Sequence, residues 1–243
     1  MQSWHATPLP LFDVPSWTRV MGVFDLETTG IEVESDRIVT AHVGLLDAAG
    51  NVIRARDWLV DPGTEIPEGA TAVHGITTEH AREHGSPARG AIGEIVDELR
   101  ALLDAGIPVV AYNAPFDFSL LKHEANRHGV DPIHAPSPVI DPLVVDKALD
   151  RYRRGKRTLE VVAAHYAIRL DGAHEASADA VAAGRVAQAI AERYSTQLPS
   201  DLSVLHTQQI SWARAQAVSL TEYFIKIGRI EPDDQVDGSW PIR

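Results

Sequence analysis

The segment Val20-Met-Gly-Val-Phe-Asp-Leu-Glu27 constrains the fold more than any other part of the chain. It is an apolar run, read as a strand over 20–26, that meets Asp25 and Glu27 at its end before the turn chemistry of Thr28-Thr29-Gly30. Residues two apart in a strand project from one face, so the two carboxylates stand side by side. Moving a carboxylate toward an apolar interior costs roughly several kcal/mol unless it is paired or bound to a cation, and a second one adds repulsion. Either the strand stops early and both groups are solvated, or the fold supplies a cation.

The rest of the chain reads as one α/β domain with additions at both ends. Strands are expected at 37–46 and 52–60, joined by a hairpin at Ala48-Ala49-Gly50-Asn51, with loop from Pro62 to Pro67. A helix is expected at 88–103, where Ile92, Ile95, Val96, Leu99 and Leu102 recur at helical spacing. Short buried strands at 107–112 and 139–140 bracket a helix that opens at Pro115 and ends before Gly129. Further helices are expected at 142–152, 159–166, 177–194 (with Ser177 as N-cap) and 202–227, the last with Trp212, Gln216, Leu220, Tyr223 and Ile227 on one face. Residues 1–19, with Trp4, Leu11, Phe12 and Trp17, read as an irregular arm, and 231–243 as an extended tail. The division is then an arm at 1–19, a domain at 20–195 and a helical extension at 196–243.

The chain has 243 residues, 44% hydrophobic and 23% charged, which suits a folded core rather than bulk disorder. No apolar run reaches the roughly 18 residues of a membrane span, and the proline-broken start is not a secretory signal. With no cysteine there are no disulfides, thiolate zinc sites or thiol nucleophiles, which fits a reducing cytoplasm. A net charge of −12 argues against broad nucleic-acid binding by a basic face. It argues little against an acidic site whose bound cations attract phosphate.

Other candidate groups lie downstream. Asp117 falls in the first turn of the helix after a buried strand, where an acidic residue can simply complement the helix dipole. Asp179 likewise opens a helix, and His174 lies on the loop leading into it, where a histidine is commonly a solvent-facing bystander. Each alone has an ordinary structural reading. Together they form an ordered series of a D-x-E strand end, an aspartate opening a helix, and an H-x4-D at another helix start.

Phe24-Asp-Leu-Glu-Thr-Thr-Gly30, the Asn113–Asp117 segment and His174–Asp179 resemble the three motifs of the DnaQ-like (DEDDh) exonuclease superfamily. That superfamily includes the proofreading subunit of bacterial replicases, RNase T and oligoribonuclease. Ala72-Val-His-Gly-Ile-Thr77 also matches a segment common between the first two motifs, and the resemblance covers roughly residues 20–194. Pro115 departs from the small non-proline residue of many relatives.

The resemblance implies an RNase H-like fold, a mixed sheet of about five strands flanked by helices. It implies that Asp25, Glu27, Asp117 and Asp179 ligate two Mg²⁺ or Mn²⁺ ions and that His174 is the general base. Thr28, His74, Asn113 and Phe116 would hold the terminal nucleotide. The implied reaction is 3′→5′ hydrolysis that releases nucleoside 5′-monophosphates, with nucleic-acid 3′ ends as substrate and a polymerase as a possible partner. The motifs do not separate DNA from RNA, a choice that rests on how the pocket treats the 2′-OH. The extension after residue 195 favours DNA, with an exoribonuclease of the RNase T or oligoribonuclease kind as the alternative. A third reading, an inactive binding or scaffold module, is disfavoured because no carboxylate of the set is lost.

The basic run Arg151-Tyr-Arg-Arg-Gly-Lys-Arg157 fits either contact with backbone phosphates or a solvated helix end. The segment 197–202 faintly resembles a sliding-clamp-binding peptide but reads better as a linker.

Overall fold

Three long strands follow one another: β1 (Val20–Thr28), β2 (Ile38–Asp47) and β3 (Val52–Asp61), as seen in a computed structural model that describes residues 14–170 and 174–243. Trp4, Leu11 and Phe12 of the expected arm lie outside the described residues. Trp17, in a 3-10 turn at Ser16–Thr18, is buried. The β2–β3 connection closes as a tight turn because the Asp47 carboxylate accepts from the Ala49 and Asn51 N–H groups and Gly50 takes φ 74°.

Two helices absent from the sequence reading come next, α1 (Glu68–His74) and α2 (Thr78–His84). They lead into the two-residue β4 (Ser86–Pro87) and α3 (Ala88–Asp104). Then follow β5 (Val109–Val110), α4 (Ala114–His128), β6 (Val139–Ile140), α5 (Pro142–Leu149), α6 (Leu159–His165), α7 (Ala176–Arg193) and α8 (Leu202–Lys226). The sheet runs β4-β3-β2-β1-β5-β6, six strands rather than about five, the addition being the short parallel β4 at the β3 edge. β2 is antiparallel to both β1 and β3, and β5 and β6 run parallel to β1. This is an RNase H-like α/β fold.

Period-2 alternation along β1 splits the core. Phe24 and Leu26 pack under α3 and α4, while Met21 and Val23 pack under α7. Asp25 and Glu27 therefore continue the α7 face. Helix α7 approaches the sheet closely because Gly184 has no side chain: a Cβ there would lie 2.5 Å from both Leu46 Cδ1 and Val23 Cγ1.

Some expected boundaries move. The strand expected at 107–112 pairs only at Val109–Val110, and the helix expected to reach Tyr152 ends at Leu149. Ser177 does not cap α7, which starts at Ala176 after Glu175 with no side-chain cap bond. The tail is irregular but not freely extended, since Trp240 is buried against His206, their ring centroids 4.9 Å apart. Edge strand β6 is sealed by α8: Gln209 accepts from Asp141 N–H at 2.7 Å and donates to Val139 O at 3.0 Å, and His206 Nδ1 accepts from Val139 N–H at 3.2 Å.

Candidate active site

The four acidic groups reach the site from three elements, β1, α4 and α7, each for a local reason. Asp25 and Glu27 are delivered by the alternation of β1. Asp179 is in the first turn of α7, which crosses that same face. Oxygens of Asp25, Glu27 and Asp179 all lie within 4.8 Å of one another. Asp117, in the first turn of α4, is buried beside them. β5 pairs with β1 only as far as Val23, and further along β1 the Leu26 N–H donates to Asp117 Oδ1 at 3.2 Å. That bond ties the start of α4 to the residue between the two β1 carboxylates.

The electrostatics show how much this crowding costs. Burial pushes the Asp25 carboxyl well above its usual range, and the charges of Asp117, Asp179 and Glu27 push it further. Glu27 rises to about 7, through burial first and the charge of Asp179 second. Asp117 is also raised well above the ordinary value, chiefly by burial, against the lowering effect of backbone N–H donors. Asp179 is raised by burial, opposed by the backbone and charge of His174. Asp179 Oδ1 is buried with no hydrogen-bond partner among the described residues. All-oxygen donors, converging charge and an orphaned buried oxygen together suit a hard divalent cation.

His174 stands at the mouth, its side chain 52% exposed and its Nε2 3.8 Å from Glu160 Oε1. Its backbone is left-handed, φ 68°. Residues 171–173 before it lie outside the described residues. Thr28, next to Glu27 at the end of β1, donates its hydroxyl to Gly30 O at 2.6 Å. His74 ends α1, and its Nδ1 accepts from Ile76 N–H at 3.1 Å, which places the proton of the neutral ring on Nε2. Burial pulls its pKa down, offset in part by the Thr28 backbone, so the two residues are neighbours. Asn113 is exposed in a left-handed conformation (φ 66°) just before α4, and Phe116 is half-buried against the core.

One residue of this region is missing from the sequence reading. Asp141 is fully buried between β6 and α5. Its Oδ1 accepts from the N–H groups of Asn113 and Leu143, and its Oδ2 from Ala114 N–H, each at 3.0 Å, and from Trp240 Nε1 at 3.3 Å. It thus holds the turn that opens α4 and aims Asp117. The signal was present in Asp141-Pro142, an N-cap aspartate before a first-turn proline.

The basic run divides. Arg153 and Arg157 both pair with buried Asp146, which also accepts from Tyr166 OH at 2.9 Å, while Arg151, Arg154 and Lys156 are exposed. Two of its five cations therefore hold the fold.

Residues 23–187 match the family model described as Exonuclease, under the name RNase T. The chain belongs to the exonuclease family. Within it the chain is a DnaQ-like member. It is similar to the PolC-type DNA polymerase III of Lacticaseibacillus paracasei, 31% identical over 169 residues, covering 69% of this chain and 11% of the relative. It is also similar to the PolC-type DNA polymerase III of Streptococcus sanguinis, 29% identical over 206 residues, covering 83% and 13%. The chain thus spans only a small part of these relatives. Among solved structures, the zinc-bound E. coli exonuclease I–single-stranded DNA complex superposes with a TM-score of 0.61 at 24% identity, covering 72% of this chain and 41% of that one. A second E. coli exonuclease I complex, with an oligonucleotide, gives 0.62 at 23% identity, covering 73% and 42%. At that identity the likeness shows the fold.

Proposed function

We propose that the chain is a metal-dependent 3′→5′ exonuclease acting on single-stranded DNA ends. The observation that carries this reading is the convergence of Asp25, Glu27 and Asp179 within 4.8 Å, with Asp117 bonded to the backbone between the first two. A binding module gains nothing from such costly burial of charge. The exonuclease family match, the polymerase relatives and the exonuclease I–DNA complexes favour DNA as substrate and a replication or repair setting. No helix among the described residues is long and apolar enough to cross a membrane.

Asp25, Glu27, Asp117 and Asp179 hold the cations, two Mg²⁺ or Mn²⁺ ions. When bound, such ions polarise the phosphoryl group, make a water nucleophilic near neutral pH and stabilise the departing oxygen. His174 takes the proton of the attacking water, and Glu160 nearby stabilises the imidazolium that results. The water oxygen bonds to phosphorus as the bond to the 3′-oxygen of the preceding nucleotide breaks. A nucleoside 5′-monophosphate leaves, and the freed 3′-oxygen gains a proton. Thr28, His74, Asn113 and Phe116 hold the terminal nucleotide.

The test is digestion of 3′- and 5′-labelled single-stranded DNA, duplex DNA and RNA with Mg²⁺ or Mn²⁺, with and without EDTA. Stepwise loss from the 3′ end of DNA, abolished by EDTA, is expected. Preference for RNA would move the assignment to an exoribonuclease, and metal-independent cleavage would refute it.

A further inference from the structure

A groove of about 790 Å³ opens between α5, the C-terminal half of α8 and the folded-back tail. The walls given by α8 and the tail lie beyond residues 23–187, the stretch matched by the family model. The groove does not stand apart from the acidic cluster. Asn113 and Pro115, at the opening of α4, line one end of it, and so does Asp141, whose charge reaches Asp117.

Its chemistry is mixed in a particular way. Lys147 projects from α5, half-buried, with its pKa lowered first by burial, and it makes no hydrogen bond or ion pair among the described residues. Arg151, also lining the groove, is exposed, and among the described residues its one contact is with the Tyr152 ring. These cations differ from Arg153 and Arg157, which Asp146 neutralises. Facing them, Leu220 and Tyr223 of α8 are 39% and 55% exposed. Gln209, which seals β6, lies on this same face of α8 three turns earlier, and Leu220 and Tyr223 continue the face past the strand edge, where they stay solvent-exposed. In a chain of net charge −12, unpaired cations facing an exposed aromatic complement a ligand with negative charge on one edge and flat apolar faces on the other. The opposing charges are Asp141, which with Asp146 offsets part of the effect of burial on Lys147 and is held by backbone N–H donors, and Asp237 on the tail wall, which accepts from Ser239 N–H.

We propose that this groove is the track for the single-stranded DNA segment lying 5′ of the scissile nucleotide, with Lys147 and Arg151 on its phosphates and Tyr223 under a base. The inference rests on the exonuclease reading above, and it makes the C-terminal extension a substrate-binding element.

The test uses the full chain and two surface substitutions, Arg151→Glu and Tyr223→Ala, each expected to leave the thermal midpoint unchanged. Binding of a fluorescein-labelled oligothymidylate is followed by anisotropy with Ca²⁺, alongside turnover of the same oligonucleotide and of the dinucleotide TpT with Mg²⁺. Each substitution is expected to raise Kd and KM for the oligonucleotide about tenfold. Arg151→Glu should also flatten the salt dependence, while kcat and TpT hydrolysis stay as in wild type. Unchanged oligonucleotide affinity in both variants would overturn the proposal and leave the groove to an apolar peptide. An equal loss on TpT would overturn it too, because the effect would then belong to the acidic site. If wild-type protein cleaves no 3′ end yet binds the oligonucleotide through Arg151 and Tyr223, the track stands and the exonuclease reading falls.

Discussion

Replacing Asp25 with Asn should stabilise the metal-free protein while abolishing hydrolysis. The side chain keeps its shape but loses the charge that burial and the neighbouring Asp117, Asp179 and Glu27 all disfavour. Relief of such functional-site strain is on the order of 1–2 kcal/mol. For a chain of 243 residues that corresponds to a rise in Tm of roughly 2–8 °C. The cation acts in the opposite sense. At a concentration one hundred times its Kd, it stabilises wild-type protein by about 2.7 kcal/mol, or roughly 5–11 °C. Asp25→Asn removes a ligand and should forfeit most of that gain.

The two proteins should therefore exchange rank in one experiment. By scanning calorimetry or dye-monitored melting in EDTA, Asp25→Asn melts above wild type. With saturating Mn²⁺ the wild-type midpoint climbs, and that of the variant moves little. A variant less stable than wild type in EDTA would mean that the carboxylate is not under electrostatic strain. An undiminished Mn²⁺ shift would mean that the cation binds elsewhere. Either result refutes the reasoning without reference to activity.

Three further outcomes follow from the same geometry. His174→Ala should lower kcat about 10²–10⁴-fold with little change in KM, and an unchanged pH–rate profile would show that another group takes the proton. Glu27 has its folded pKa raised from 4.5 to about 7, so its protonated form favours the fold. The contribution of Glu27 to metal-free stability should thus be full below pH 4.5 and be lost as pH rises through about 7, and a Glu27→Gln protein whose midpoint in EDTA changes with pH across this window as wild type does would contradict it. Trp240→Ala removes a buried ring and the indole donor to Asp141, and should cost about 3–5 kcal/mol in urea unfolding. A loss below about 1 kcal/mol would show that the tail only rests on the surface.

What the sequence makes legible here is what chemistry makes expensive. Two carboxylates on one apolar strand demand compensation, and the series Asp25, Glu27, Asp117, Asp179 converges as that demand requires. The long strands and the amphipathic α3 were equally readable because their periodicity is local. The short pieces were not. Helices α1 and α2 span seven residues each, too few turns to display a period, and β4 exists only because β3 offers an edge to pair with. Ser177 is a good cap in isolation, yet α7 begins one residue earlier at Ala176, whose side chain is buried.

The C-terminal region was illegible for a different reason: its contacts are with residues far away in sequence. Gln209 and His206 look like ordinary polar residues of a long helix until β6 presents unpaired backbone groups to them. Trp240 looks like a tail residue until its indole meets Asp141. Asp141 in turn fixes the N–H groups of Asn113 and Ala114, and so the first turn from which Asp117 reaches the acidic cluster. Two hydrogen-bonded steps therefore connect the tail to the opening of α4. Since a carboxylate cluster works only if its oxygens are held to within a fraction of an ångström, loosening that chain at Trp240 should lower cation affinity even though Trp240 touches no ligand.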